Sequence, residues 1–388
     1  MPFNPNILRK ALSARSLTSA SLSRRLNLTP EELTRELART PEPKAEILKK
    51  LAKELSLPEL AFFRHEEPDF NEALTDFRSA QPHPTVKQPS TIESIQLAES
   101  IQSAASDLDV ETAHKFVGFN ATKLEQVGKY AEAMRRIIGP TLQEQAAAKD
   151  TRSFFALCRK YIEDRRIFVL QDSFPSEDGS GFCLATASYP VIVVNTSKQT
   201  HGRRLFTLIH ELAHVLRRQS GFSDPFVTAN QTERLCNQFA ACFLVPQSFV
   251  RDLLHTDARN LRPTADEIAA ASRRLKISQQ ATAIRLEELG IYADGTHERW
   301  LKSFETDGNP DFTPARGGGG NTPPERTKLA KYGFRFASAF GPLIMDGTVT
   351  ELSLFRLSGL KPKYQRAYFD FAASLGSGQL GDLELDDD

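Results

Sequence analysis

The segment Phe206-Thr-Leu-Ile-His210-Glu211-Leu-Ala-His214-Val-Leu216 constrains this 388-residue chain more than any other. Its apolar residues fall nearly all round a helix, so the helix is expected to be buried. Two histidines four apart lie one above the other on one helical face, and both imidazoles can reach a single ion. Buried imidazoles need partners, and one ion serves both. Glu211 stands about 100° round the helix from His210, close enough to hold a water beside that ion. The pattern therefore predicts a hydrolytic metal site: two neutral nitrogen ligands, an open position for water, and a carboxylate to take the water's proton. A structural zinc site would close that position with a protein ligand, so the intact Glu211 favours an enzyme.

A third ligand must come from another element. A new helix opens near Thr228 to Gln231 and runs through Thr232-Glu233-Arg-Leu-Cys-Asn237-Gln-Phe239-Ala240 to Pro246. Leu235, Phe239, Cys242 and Phe243 make it a core helix that packs on the first. Glu233, 19 residues after His214 and one turn before Asn237, is its natural candidate ligand. Upstream, a helix is expected over Thr151–Asp164. The runs Arg166–Leu170, Phe182–Ala185 and Tyr189–Asn195 then predict a small antiparallel sheet beside the motif helix. An edge strand there could pair with an extended substrate. Arg203-Arg204 and Arg217-Arg218 bracket the motif helix and read as solvated ends. His201 lies off the motif face and is not expected to be a ligand.

Lys+Arg and Asp+Glu both number 49, so no global charge draws the chain to nucleic acid. Met1-Pro-Phe-Asn-Pro and the charged sequence after it do not read as a signal peptide, and no apolar run would span a bilayer. Cys158, Cys183, Cys236 and Cys242 lack zinc-knuckle spacing and read as buried small residues in a reducing compartment. A cytoplasmic protein with no membrane partner is expected.

The length implies two or three domains. Short helices are expected over Pro5–Ala14, Ser16–Leu26, Pro30–Ala38 and Lys44–Leu55, the third opened by a Thr29/Glu32 capping box with Pro30 at its first position. Phe77 to Pro89 is polar and Pro-rich, a linker or extended strap. Helices Ile92–Leu108 and Lys123–Ile138 would bury one face against the catalytic unit. Thr306 to Pro324 has the composition of a flexible linker. Helices over Lys328–Phe340 and within 355–375 follow, then an acidic tail, Asp382–Asp388. The expected division is 1–80, 81–150, 151–300, 301–326 and 327–388.

Arg204-Leu-Phe206-Thr207 before the motif, with Glu233, Asn237, Phe239-Ala240, Leu244 and Pro246 after it, resembles the ImmA/IrrE metallopeptidase family. Thr264–Ala269, Leu275–Ser278 and Arg285–Gly290 resemble its closing helices, which look like a small helix-turn-helix of their own. Leu22–Leu26, Leu33–Glu36 and Ile47–Leu57 resemble the Xre/Cro helix-turn-helix domain that members often carry in front. The resemblance implies an α+β, mostly helical chain with a zincin-like core and an N-terminal helix-turn-helix domain. It implies Zn2+ held by His210, His214 and Glu233, with Glu211 as general base. The implied activity is an endopeptidase that cuts a regulatory protein, an Xre-type repressor or antitoxin, in a stress, mobile-element or phage-related response. An oxyanion donor is expected, with His255 and Tyr292 as open candidates.

Two departures bear on this. Cys236 stands where the family usually has Ala, which would put a thiol near the metal. The would-be recognition helix begins Thr29-Pro-Glu31-Glu32, and carboxylates there repel phosphates and offer little to most base edges. Asn27 also replaces the usual turn glycine. The N-terminal helices thus either contact DNA, duplex or single-stranded, or dock a protein. The alternative to the enzyme is a DNA-binding regulator or antitoxin with a structural or vestigial metal site.

Overall fold

The computed structural model describes residues 3–39, 42–63, 74–77, 83–224, 230–254, 259–303 and 322–375. The N-terminal helices α1 (Pro5–Ala14), α2 (Ser19–Arg25), α3 (Pro30–Leu37) and α4 (Ala45–Glu54) enclose a small core of Ile7, Leu22, Leu33, Leu51 and Phe62. Thr18 and Thr29 form reciprocal capping boxes with Ser21 and Glu32, which satisfy the first-turn amides of α2 and α3. Asn27, in the α2–α3 turn, takes a φ of 55°, the left-handed region that asparagine tolerates better than most residues. This unit rests on the segment after it: Arg25 donates to the Lys87 carbonyl at 3.2 Å and Ser56 Oγ to the Pro89 carbonyl at 3.2 Å.

The apolar strands are continuous runs rather than alternating ones, which requires burial of both sheet faces. The strands are β1 (Thr75–Asp76), β2 (His83–Pro84), β3 (Phe168–Asp172), β4 (Gly181–Leu184), β5 (Val191–Asn195) and β6 (Gly221–Ser223). Their order is β2-β1-β6-β4-β5-β3. The expected antiparallel sheet is corrected here to a mixed one. β4 is antiparallel to β5 and β6, but β3 pairs with β5 in parallel, as does β1 with β6. Hydropathy reports which residues are buried, not which way a neighbouring strand runs. The expected linker, Phe77 to Pro89, also contributes β2 to this sheet, and β1 lies immediately before it.

Helices cover both faces. Between the strap and the sheet lie α5 (Pro89–Asp107), α6 (Leu124–Ile138), α7 (Leu142–Ala147) and α8 (Thr151–Glu163). After β5 come α9 (His201–Arg217), α10 (Gln231–Leu244), α11 (Gln247–Leu254), α12 (Ala265–Leu275), α13 (Gln279–Glu288) and α14 (Thr296–Lys302). One core joins Val169, Cys183, Ile192 and Val194 of the sheet to α6, α8, α9, α10, α12 and α13. The opposite face, with Phe168, Leu170, Phe182, Val191 and Val193, packs against α5 and a C-terminal group. That group is α15 (Pro324–Met345), α16 (Glu351–Ser358) and α17 (Pro362–Leu375), whose Phe336, Phe340 and Tyr368 lie in the same core. The C-terminal helices therefore form the outer layer of the sheet. The acidic residues 382–388 lie outside the described residues.

α15 is kinked at Gly333 (φ 78°), and the kink is occupied by a buried ion pair. Arg159 lies 3.4 Å from Glu163 and donates to the Ala330 carbonyl at 2.5 Å and to the Val169 carbonyl. Glu163 in turn accepts the Phe334 amide at 3.1 Å. A side chain at residue 333 would run into this carboxylate, and its φ also favours glycine. Arg159→Ala would leave Glu163 buried without its countercharge, and we expect a loss of about 3–5 kcal/mol, read as a lower denaturant midpoint.

Candidate metal centre

Thr200 caps α9 by accepting the Arg203 amide, and burial of the helix follows from its apolar circumference. His210, Glu211 and Glu233 are 0% exposed and His214 1%. α9 is closed by Arg218 as its C-cap, at a left-handed φ of 57°, and Gly221 opens β6. α10 begins at Asn230, whose side chain accepts the Glu233 amide at 3.0 Å and so presents Glu233 from the first turn.

These two helices bring His210, His214 and Glu233 together, with one ligand atom from each within 4.8 Å of the others. The two Nε2 atoms are 3.2 Å apart, and both face the same carboxylate, His214 at 3.0 Å from Oε1 and His210 at 3.2 Å from Oε2. Two imidazole nitrogens at that distance and one carboxylate compete for protons, whereas one cation would satisfy all three. The donor set of two nitrogens and one oxygen suits zinc and other borderline divalent ions. Asn237 Oδ1 lies 2.8 Å from His210 Nδ1, which fixes that ring with Nε2 facing the cluster. Burial works against the charge on Glu233, but His210 and His214 outweigh it and bring the carboxyl down to about 2. Burial likewise opposes charge on His210, yet Glu233 raises it above the usual imidazole range. In His214 burial prevails and the shift is downward.

Glu211 points to the sheet side. Its Oε1 accepts the Ser223 hydroxyl from β6, while Oε2 has no hydrogen-bond partner among the described residues. Burial pushes this carboxyl up to about 8, with His210 and Ser223 offsetting only part of the effect. A group in that range can both take and return a proton near neutral pH. The thiols of Cys183 and Cys236 are buried close by, and burial followed by the neighbouring carboxylates holds both well above the usual thiol range.

Ser223, Gly181, Asn230 and Phe77 also belong to this site, and nothing in the sequence alone marks them for it. Asn237 stands in the sequence only as part of the motif that resembles the ImmA/IrrE family, with no role assigned to it. Gly181 lets β4 approach α9. A Cβ there would lie 2.7 Å from Thr207 Cγ2 and 3.0 Å from Glu211 Oε1. Gly181→Ala should cost about 1–3 kcal/mol through overpacking and displace Glu211, visible as a lower melting temperature together with lower hydrolytic activity.

Other expectations fall elsewhere. Arg203 and Arg204 are not solvated ends: Arg203 pairs with Asp224 at 3.1 Å and donates to Ser180 at 2.9 Å, and Arg204 is 8% exposed and donates to the Thr196 carbonyl. They pin the helix start to the strands around it. His201 sits in the first turn of α9 near Asp150, away from the cluster. Tyr292 is buried beside Glu267 and forms a bridge with Leu261. His255 lies outside the described residues.

The arrangement invites comparison with known metallopeptidases. Residues 162–287 match the model of the IrrE N-terminal-like domain, Peptidase_M78. The match covers about a third of the chain and includes His210, Glu211, His214 and Glu233. This Peptidase_M78 segment supports the ImmA/IrrE resemblance and a metallopeptidase activity that uses a metal cofactor. No curated protein matches the chain at a significant level. Among the described residues no helix is long and apolar enough to cross a membrane.

Proposed function

We propose that this chain is a zinc-dependent endopeptidase that cuts a specific regulatory protein, an Xre-type repressor or antitoxin, in a stress, mobile-element or phage-related response. The observation that supports it best is the buried His210, His214 and Glu233 cluster with a carboxylate, Glu211, held beside it. His210, His214 and Glu233 would hold the ion. Zinc at such a site lowers the pKa of a water and polarises a carbonyl. Glu211 takes the water's proton on its unpartnered oxygen and later gives it to the leaving amine. Ser223 keeps that carboxylate in place during both transfers, and Asn237 keeps His210 in the tautomer that leaves Nε2 free.

The N-terminal unit, residues 1–80, is assigned the choice of protein substrate. Glu31 and Glu32 stand in the first turn of α3, and Glu32 is already spent on its capping box. Such a helix start suits a protein surface better than a phosphate backbone. A gel shift with duplex and single-stranded DNA at two salt concentrations should accordingly show no salt-sensitive complex.

The test of the activity is co-expression with the products of neighbouring genes. One of them should be truncated in a metal-dependent manner by the wild type and left intact by the Glu211→Gln variant. Truncation by both proteins alike would overturn the mechanism.

A further inference from the structure

The two histidines are supported differently. His210 has Asn237 on Nδ1, at 2.8 Å. His214 Nδ1 has no hydrogen-bond partner among the described residues. What fixes its plane is a ring. Phe77 is stacked on it with centroids 4.9 Å apart and planes 23° apart. Phe77 comes from the strap in front of α5, well outside the segment 162–287.

The strap is fastened on both sides of this ring. The Phe77 amide donates to the Phe222 carbonyl at 2.9 Å, and its carbonyl accepts from Asn230, the residue that caps α10 at Glu233. One residue earlier, Asp76 points to the other face of the sheet. It pairs with the buried Lys87 at 2.8 Å, and Lys87 also donates to the Asp178 carbonyl at 3.0 Å and lies 4.0 Å from the Phe222 ring centre. Period-two alternation thus turns the buried Asp76–Lys87 pair into an anchor for the ring on His214. On β6 the same alternation puts Phe222 beside Lys87 and Ser223 on Glu211.

We infer that Phe77 is a positioning residue for metal binding, so that a strap outside the peptidase segment completes the metal centre. Its ring holds the His214 imidazole with Nε2 facing Glu233, the task that Asn237 performs for His210. The inference rests on His210, His214 and Glu233 being the ligands. It does not depend on what the enzyme cuts.

The test uses the full chain and two probes, zinc affinity from competition with a chromophoric chelator and the visible bands of the cobalt-loaded protein. Loss of an outer support to a metal-ligating histidine typically weakens binding by about 10–100-fold, and that is expected for Phe77→Ala together with altered cobalt bands. Phe77→Tyr retains a stacked ring and should bind zinc within about threefold of the wild type. Phe77→Leu, which fills the space without a ring, should melt near the wild type yet bind zinc about tenfold more weakly. If the alanine variant fails to fold, the leucine variant decides. Wild-type affinity and unchanged cobalt bands in the leucine variant would overturn the inference while leaving the ligand set intact. A wild type that binds neither ion would overturn the ligand set itself.

Discussion

Replacing Glu211 by glutamine is expected to lower peptide cleavage by about 10²–10⁴-fold, the usual contribution of a general base, without loss of bound zinc. Glutamine keeps the length and planarity of the side chain, and its amide oxygen can still accept the Ser223 hydroxyl that now holds Oε1. It cannot accept the water's proton on the second position, where Glu211 Oε2 has no partner among the described residues. Folding should not suffer. Burial pushes the Glu211 carboxyl up to about 8, so its ionised form is disfavoured in the folded chain, and a neutral amide removes that cost. The decisive combination is a time course of substrate truncation, zinc stoichiometry by atomic absorption and a thermal melt on the same preparation. Undiminished cleavage by a zinc-replete variant would remove Glu211 from the reaction.

How much of this centre could be read in the sequence depends on element length. The four-residue spacing of His210 and His214, on a helix apolar all round, specifies both a buried position and a shared face. Glu233 follows because an acid on an otherwise apolar helix needs a reason to be there. Ser223 and Phe77 could not be found this way. β6 has three residues and β1 two, too few to display a period, and Phe77 is far from His214 in sequence. The outer layer was hidden for a related reason. In β5 the inward and outward residues are Ile192 and Val194 against Val191 and Val193, alike in kind, so the pattern announces two covered faces without saying that α15 covers one. The kink at Gly333 and the Arg159–Glu163 pair beneath it are likewise tertiary facts, set by residues that meet only when α15 lies on the sheet.

Glu233→Gln should remove most of the response of the protein to zinc. A ligand that binds only the folded state adds RT ln(1 + [L]/Kd), about 4 kcal/mol at a thousandfold excess over Kd. The wild type should therefore melt several degrees higher when saturated with zinc. The variant retains only His210 and His214, and at the same free zinc its gain should fall below about 1 kcal/mol. The zinc-free proteins should differ as well, in a direction fixed by linkage. His210 and His214 overcome the effect of burial and bring the Glu233 carboxyl down to about 2, below its ordinary 4.5. A depressed carboxyl contributes stability that is fully present above the unfolded pKa and disappears as the pH falls through the folded one. The zinc-free variant should accordingly be less stable than the zinc-free wild type near neutrality, with the gap closing between pH 4.5 and 2. Melting curves of both proteins, with zinc and with a chelator, separate the two effects. Equal zinc-induced shifts in the two proteins would take Glu233 out of the ligand set, whereas a shift largely confined to the wild type assigns the carboxylate to the ion.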